Sequence, residues 1–214
     1  MKSYAAETLE KLGVASHVGN KTEMPLKHYR ELFAAADPKK LSARSGVPYN
    51  EADSVFEMAV FGCPIDVLWP EMDVVMASNG AKVPVDIQLL AARLILEGVL
   101  TAASGEFLSY AQVPNGTLYL DAFDRRCTIP LSKGFADAQD FSAKCEKLGC
   151  APVEGGDAAF ETEFMPGLFV RITYWEADEE FAASAKLLFS DNFPLAFTSE
   201  DMAVVGSTIA ALLA

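Results

Sequence analysis

At Val55 the spacing of apolar residues changes from the three-to-four step of helices to short strand-like runs, and this change restricts the fold class open to the chain. Val55–Phe61, Ile65–Trp69 and Asp73–Ala77 are β-branched or aromatic runs separated by Gly62-Cys63-Pro64 and Pro70-Glu71. Such spacing predicts a three-stranded antiparallel meander. Upstream, three helices are predicted: Ser3–Leu12, stopped by Gly13; a second with Pro25 in its first turn, running to about Ala36; and a short third one. The third has Asp37 as N-cap and Pro38 at its first position, and it closes at Gly46 and Pro48. Residues 1–50 thus form a helical lead-in.

After the meander, the turn residues Ser78-Asn79-Gly80 precede a long buried helix predicted from about Pro84 to Ala102. Phe107–Val113 and Thr117–Leu120 flank Pro114-Asn115-Gly116, a hairpin signal because Asn-Gly tolerates positive φ. A helical stretch is expected around Ala122–Leu131, and another over Asp137–Leu148 with Asp137 as cap and Gly149 as stop. Strands follow at Ala158–Phe164, Leu168–Trp175 and Ala185–Phe189, the first two joined by Met165-Pro166-Gly167. In the middle strand Val170, Ile172 and Tyr174 alternate with Phe169, Arg171 and Thr173, giving one apolar and one mixed face. Thr198 with Asp201 resembles a capping box opening a last helix to about Leu213. Strands and helices in blocks, without βαβ repetition, give an α+β class with antiparallel sheets and packed helices. The expectation is one domain over residues 1–214.

The apolar fraction of 51% with 22% charged residues is that of a folded protein. A formal charge of -13, from 30 acidic and 17 basic side chains, repels phosphate backbones and anionic lipid, so neither nucleic acid nor membrane is expected as a partner. Val83–Ala103 is the longest apolar segment, but Asp86, Gln88, Arg93 and Glu97 are costly in hydrocarbon. With four cysteines and no apolar leader after Met1, a reduced, cytoplasmic setting is the simplest expectation.

Motifs that would name a reaction are missing or misspaced. Gly13 to Thr22 imitates a phosphate-binding loop, yet five residues separate its glycines and Asn20 stands before Lys21. Cys145 and Cys150 make half a metal site whose other ligands, Cys63 and Cys127, would come from distant segments; their ordinary reading is as buried small hydrophobes. His17 and His28 are the only histidines, and no Gly-x-Ser-x-Gly elbow occurs. The most distinctive segment is Trp175-Glu176-Ala177-Asp178-Glu179-Glu180-Phe181, in which four carboxylates stand between two aromatic rings. It lacks the alternating donors and glycine of a calcium loop, and its ordinary reading is a solvated turn between strands. Aromatic groups beside charge are nevertheless enriched at interfaces. The candidate interaction site is therefore Trp175, Glu176, Asp178, Glu179, Glu180 and Phe181, with Arg126 as a candidate neighbour.

Five groups of residues carry a family resemblance: Tyr29-Arg30-Glu31-Leu32-Phe33; Ser45-Gly46-Val47-Pro48-Tyr49; Gly105-Glu106; Arg126 with Pro130-Leu131; and Trp175 to Phe181 followed by Leu188-Phe189. Through them the chain resembles a bacterial family of uncharacterised domains, found mainly in anaerobes and sometimes joined to or encoded beside iron-sulfur and corrinoid-dependent proteins. The resemblance implies a cytoplasmic accessory protein serving corrinoid, tetrapyrrole or iron-sulfur metabolism, with a corrinoid or iron-sulfur protein as partner. It brings no list of catalytic residues and leaves the cofactor unknown, and the chain has no cysteine-rich iron-sulfur segment of its own. Two functions are thus in view. One is a non-catalytic binding module that docks a protein partner through the Trp175–Phe181 face. The alternative is a metal- or tetrapyrrole-binding enzyme using Glu176, Asp178 and Glu180 with His28 or Cys127.

Overall fold

The computed structural model describes residues 3–15 and 20–213, with side chains described from 3 to 12 and from 24 to 213. The chain is α+β and divides into two compact units: Met1–Thr101 with Leu195–Phe197, and Ala102–Pro194 with Thr198–Ala214. No helix among the described residues is long and apolar enough to cross a membrane.

The first unit opens with α1 (Tyr4–Ala15), α2 (Asn20–Ala35) and α3 (Pro38–Ser45). Two boundaries differ from expectation. Helix α1 runs through Gly13, because a glycine costs only about 1 kcal/mol relative to alanine and buried Ala5, Ala6 and Leu9 anchor the helix. Pro25 sits inside α2 rather than in its first turn; buried Leu26 and Phe33, one heptad apart, pin the helix across it. Helix α3 follows its sequence signals: Asp37 accepts from the amides of Lys39 and Lys40, and Gly46 closes it at φ 81°.

The meander is present with one short strand added at its edge. β1 (Tyr49–Asn50), β2 (Val55–Val60), β3 (Cys63–Leu68) and β4 (Val74–Met76) form an antiparallel sheet in chain order. Phe61 and Gly62, both at positive φ, turn β2 into β3. Helix α4 (Val85–Leu96) is shorter than predicted. Beyond it the backbone leaves the helix to pair elsewhere: Val99 donates to Leu195 O and Leu100 to Ser45 O. A Cβ on Gly98 would stand 2.6 Å from Ala196 O, so only glycine fits that approach.

The second unit holds the larger sheet, ordered β5-β9-β8-β7-β6 and antiparallel throughout: β5 (Phe107–Ser109), β6 (Ala151–Val153), β7 (Ala158–Met165), β8 (Leu168–Trp175) and β9 (Ser184–Ser190). Pro166-Gly167, with Gly167 at φ 74°, joins β7 to β8 as predicted. The hairpin expected at Asn115-Gly116 does not form. A 3-10 turn (Tyr110–Gln112) follows β5, and α5 (Gly116–Phe123) starts where the second strand was expected. Asn115 does adopt positive φ, 63°, but as the cap position of α5. Long-range packing decides the matter: Tyr110 stacks on Phe123 with centroids 4.0 Å apart and donates its hydroxyl to Ser199 O, while β5 pairs with β9, eighty residues on.

A π-helical turn (Asp124–Thr128) continues α5, followed by α6 (Ile129–Lys133), α7 (Ala138–Leu148), α8 (Phe193–Ala196) and α9 (Ser199–Leu213). Pro130 has no N–H to give the carbonyl four residues back, and Ile129 N–H reaches Asp124 O across five. Helix α7 is capped by Asp137, which accepts from Asp140 N–H, and ends at Gly149 with φ 85°. Thr198 and Asp201 exchange side-chain and backbone hydrogen bonds at the start of α9, the reciprocal box read from sequence. Buried Phe141, Cys145 and Leu148 of α7, and Met202, Val205 and Ile209 of α9, complete the core around Val170, Ile172 and Tyr174.

Candidate functional site

The distinctive aromatic and acidic segment begins where β8 runs out of partners. Tyr174 is 1% exposed, in an aromatic cluster with Phe141 (5.2 Å, stacked) and Phe135 (5.5 Å, edge-on), whereas Trp175, the next residue, turns to the other face and is 38% exposed. The alternation of a strand thus sends one ring inward and the indole outward. Burial, then the nearby carboxylates of Glu176, Asp137, Asp140 and Asp157, push the Tyr174 phenol above its ordinary range. The indole lies over a glycine turn that sequence reasoning missed. A Cβ on Gly156 would stand 2.5 Å from Tyr174 O and 3.3 Å from the Trp175 ring, so the Gly155-Gly156 pair permits this covering.

The four carboxylates have different tasks. Asp178 accepts from the amides of Glu180 (2.8 Å) and Phe181 (2.7 Å), and its own N–H donates to Phe181 O, so it folds the turn on itself. Glu176 accepts from Ala138 N–H at 2.6 Å, at the positive end of α7, and its own amide donates to Asp157. Glu179 and Glu180 are exposed with no such side-chain bond among the described residues, and Phe181 is 69% exposed. No lysine or arginine pairs with any of the four among the described residues. On α7, Lys144 meets Asp140 at 3.6 Å and lies over the Phe135 ring.

Arg126 sits apart from this turn. It is exposed on the π-helical segment and lines a cleft of about 480 Å³ with Tyr110, Tyr119, Phe123, Ser199 and Glu200, in which no residue from Trp175 to Phe181 takes part.

Other residues with chemical potential are placed as follows. His28 is exposed on α2 in the first unit, its ring edge-on to Tyr29. His17 lies outside the described residues, as do residues 16–19 and the side chains of the whole Gly13–Thr22 run. All four cysteines are free and buried. The Cys127 thiol donates to Ala203 O, and burial, only partly offset by Arg126, pushes its pKa up to about 12. Cys145 and Cys150 share a thiol hydrogen bond, and that bond together with burial drives Cys145 far above the ordinary thiol range. Among the described residues no three histidine, cysteine or carboxylate groups converge as a metal site.

The fold is that of an α+β protein with two antiparallel sheets, and Glu176 and Asp178 hydrogen-bond the backbone at its aromatic and acidic turn. The chain belongs to the family described as domain of unknown function (DUF3786), which it matches over residues 37–211. No curated protein and no solved structure matches it.

Proposed function

We propose that the chain is a non-catalytic binding module that docks a positively charged protein surface through Trp175, Glu176, Asp178, Glu179, Glu180 and Phe181. The observation that carries this reading is the division of labour within the turn. Glu176 and Asp178 spend their oxygens on fixing the backbone, leaving Glu179 and Glu180 to offer charge between two exposed rings. A rigid turn loses little conformational entropy on binding, and aromatic anchors carry most of the energy of an interface. The partner we propose, on the resemblance alone, is a corrinoid-dependent or iron-sulfur protein, with the chain as an accessory to that metabolism.

Partners captured by wild-type protein from an anaerobic extract are re-tested as purified pairs against Trp175→Ala and a Glu179→Lys/Glu180→Lys double variant. Each variant is expected to weaken binding by about tenfold or more, roughly 1.4 kcal/mol, and added salt should weaken the wild-type pair. Retention of every partner by both folded variants would overturn the reading. Anaerobic purification with an absorption spectrum, metal analysis and titration with haem and cobalamin separates the alternative. A bound metal or chromophore lost in Glu176→Gln and Asp178→Asn would assign the turn to a metal- or tetrapyrrole-binding enzyme instead.

A further inference from the structure

The cleft at Arg126 is a second site, unrelated to the docking turn. Its volume of about 480 Å³ lies within the ordinary range for small-molecule pockets. Tyr110 and Phe123 form a rigid base, their rings stacked 8° from parallel, and Tyr110 is locked by its bond to Ser199 O. Tyr119, 56% exposed on the wall, has no ring partner among the described residues, so one π-face is open to a ligand. The Arg126 guanidinium forms no hydrogen bond or ion pair with any described residue. The π-helical turn carries it at the cleft, and such insertions recur at functional sites. Its charge is therefore not consumed internally, in a protein whose net charge is -13.

The first turn of α9 also lines the cleft, and its dipole adds positive potential to that of the guanidinium. Glu200 lies on the same turn and limits how much negative charge the cleft tolerates. Cys127, the neighbouring nucleophile, points into the core with its thiol held protonated, which favours binding over covalent chemistry. We propose that this cleft binds a small planar aromatic or heteroaromatic molecule carrying one anionic group, a carboxylate or a monophosphate. The ring lies against Tyr119 and the anion meets Arg126.

Three probes with the same ring, 2-naphthoate, 2-naphthyl phosphate and the neutral 2-naphthalenemethanol, are titrated into the full chain and followed by amide NMR. Saturable shifts are expected at Tyr119, Arg126, Ser199 and Glu200, with at least one anionic probe binding about tenfold tighter than the alcohol. Whichever anion binds better identifies the group. Arg126→Gln, an exposed change, should remove that preference while leaving the alcohol's affinity unchanged, and Tyr119→Ala should weaken all three. Equal affinity of the three probes, an anion preference that survives Arg126→Gln, shifts centred elsewhere, or no saturable binding at millimolar probe would each overturn the proposal.

Discussion

Gly206 on α9 faces the π-helical turn, and replacing it with alanine sets two effects of known sign against each other. In a helix interior the change should stabilise by about 1 kcal/mol, since alanine loses less backbone entropy. Here the new methyl would stand 2.9 Å from Cys127 Sγ, 3.2 Å from Phe123 Cε2 and 3.3 Å from Cys127 Cβ, all belonging to buried side chains. Relieving such contacts in a packed core costs about 1–3 kcal/mol. The net expectation for Gly206→Ala is destabilisation of about 1 kcal/mol, or about 2–4 °C in Tm for a chain of this length. Cys127→Ala alone leaves a small void and should cost about 1 kcal/mol. In the double variant the new methyl occupies the space the sulfur vacated, so the two losses should cancel with a favourable coupling of about 1–2 kcal/mol. Urea unfolding followed by circular dichroism measures all four corners of the cycle. If Gly206→Ala stabilises the protein equally with and without the Cys127 sulfur, close packing does not set the spacing of these elements, and the reasoning fails.

Other expectations follow from local geometry. Asp66 lies directly across from Glu57 on β2, and burial, then Glu57 and Asp53, push its carboxyl above the ordinary 3.8. Because the folded chain holds this proton more tightly than the unfolded one, the group costs stability above its folded pKa. The cost fades as pH falls through that value and is gone below 3.8. Asp66→Lys should therefore stabilise by about 0.5 kcal/mol at neutral pH, and Asp66→Asn should remove the relief on acidification, so that the variant loses stability more steeply than wild type as pH falls toward 3.8. Cys127, with its pKa raised from 9.0 to about 12, should resist iodoacetamide in the folded protein at pH 8. Unfolded chains release that proton first, so its contribution to stability should decline between pH 9 and 12. Phe141→Ala, which empties the ring cluster beneath Tyr174, should cost about 3–5 kcal/mol in chemical denaturation. Thr198→Val removes the hydroxyl half of the α9 box and should cost about 1 kcal/mol by the same measurement.

Elements whose signals lie within a few residues were legible in the sequence. Asp37-Pro38, Asp137 with Gly149, and Thr198 with Asp201 mark helix ends because capping is satisfied inside one turn. The same holds for Pro166-Gly167 between strands, and for the alternation that buries Val170, Ile172 and Tyr174. Misreadings arose where a distant partner outweighs a local preference. Asn115 takes the conformation its type favours, yet Phe123 and Ser199 claim Tyr110 and turn the segment from hairpin to helix. Helix α4 stops early because residues near 195 and 45 offer carbonyls to its successors. The turn proposed for docking could be found by composition, and Asp178 three residues before Phe181 is a local turn signal. The bond from Ala138 to Glu176 spans 38 positions and left no trace in sequence. Nor did the cleft, since Tyr110, Tyr119, Arg126 and Ser199 meet only through packing.

Leu195–Phe197 belong to the first unit although nearly the whole second unit precedes them in the chain. A ribosome therefore releases the carbonyl that receives Val99 N–H, and the one that Gly98 closely approaches, only after most of the second unit has been made. A nascent chain ending at Thr101 holds an unfinished first unit however long it waits. A gene fragment cut at that point would encode an incomplete body, and so would any proteolytic product that loses the residues near 195.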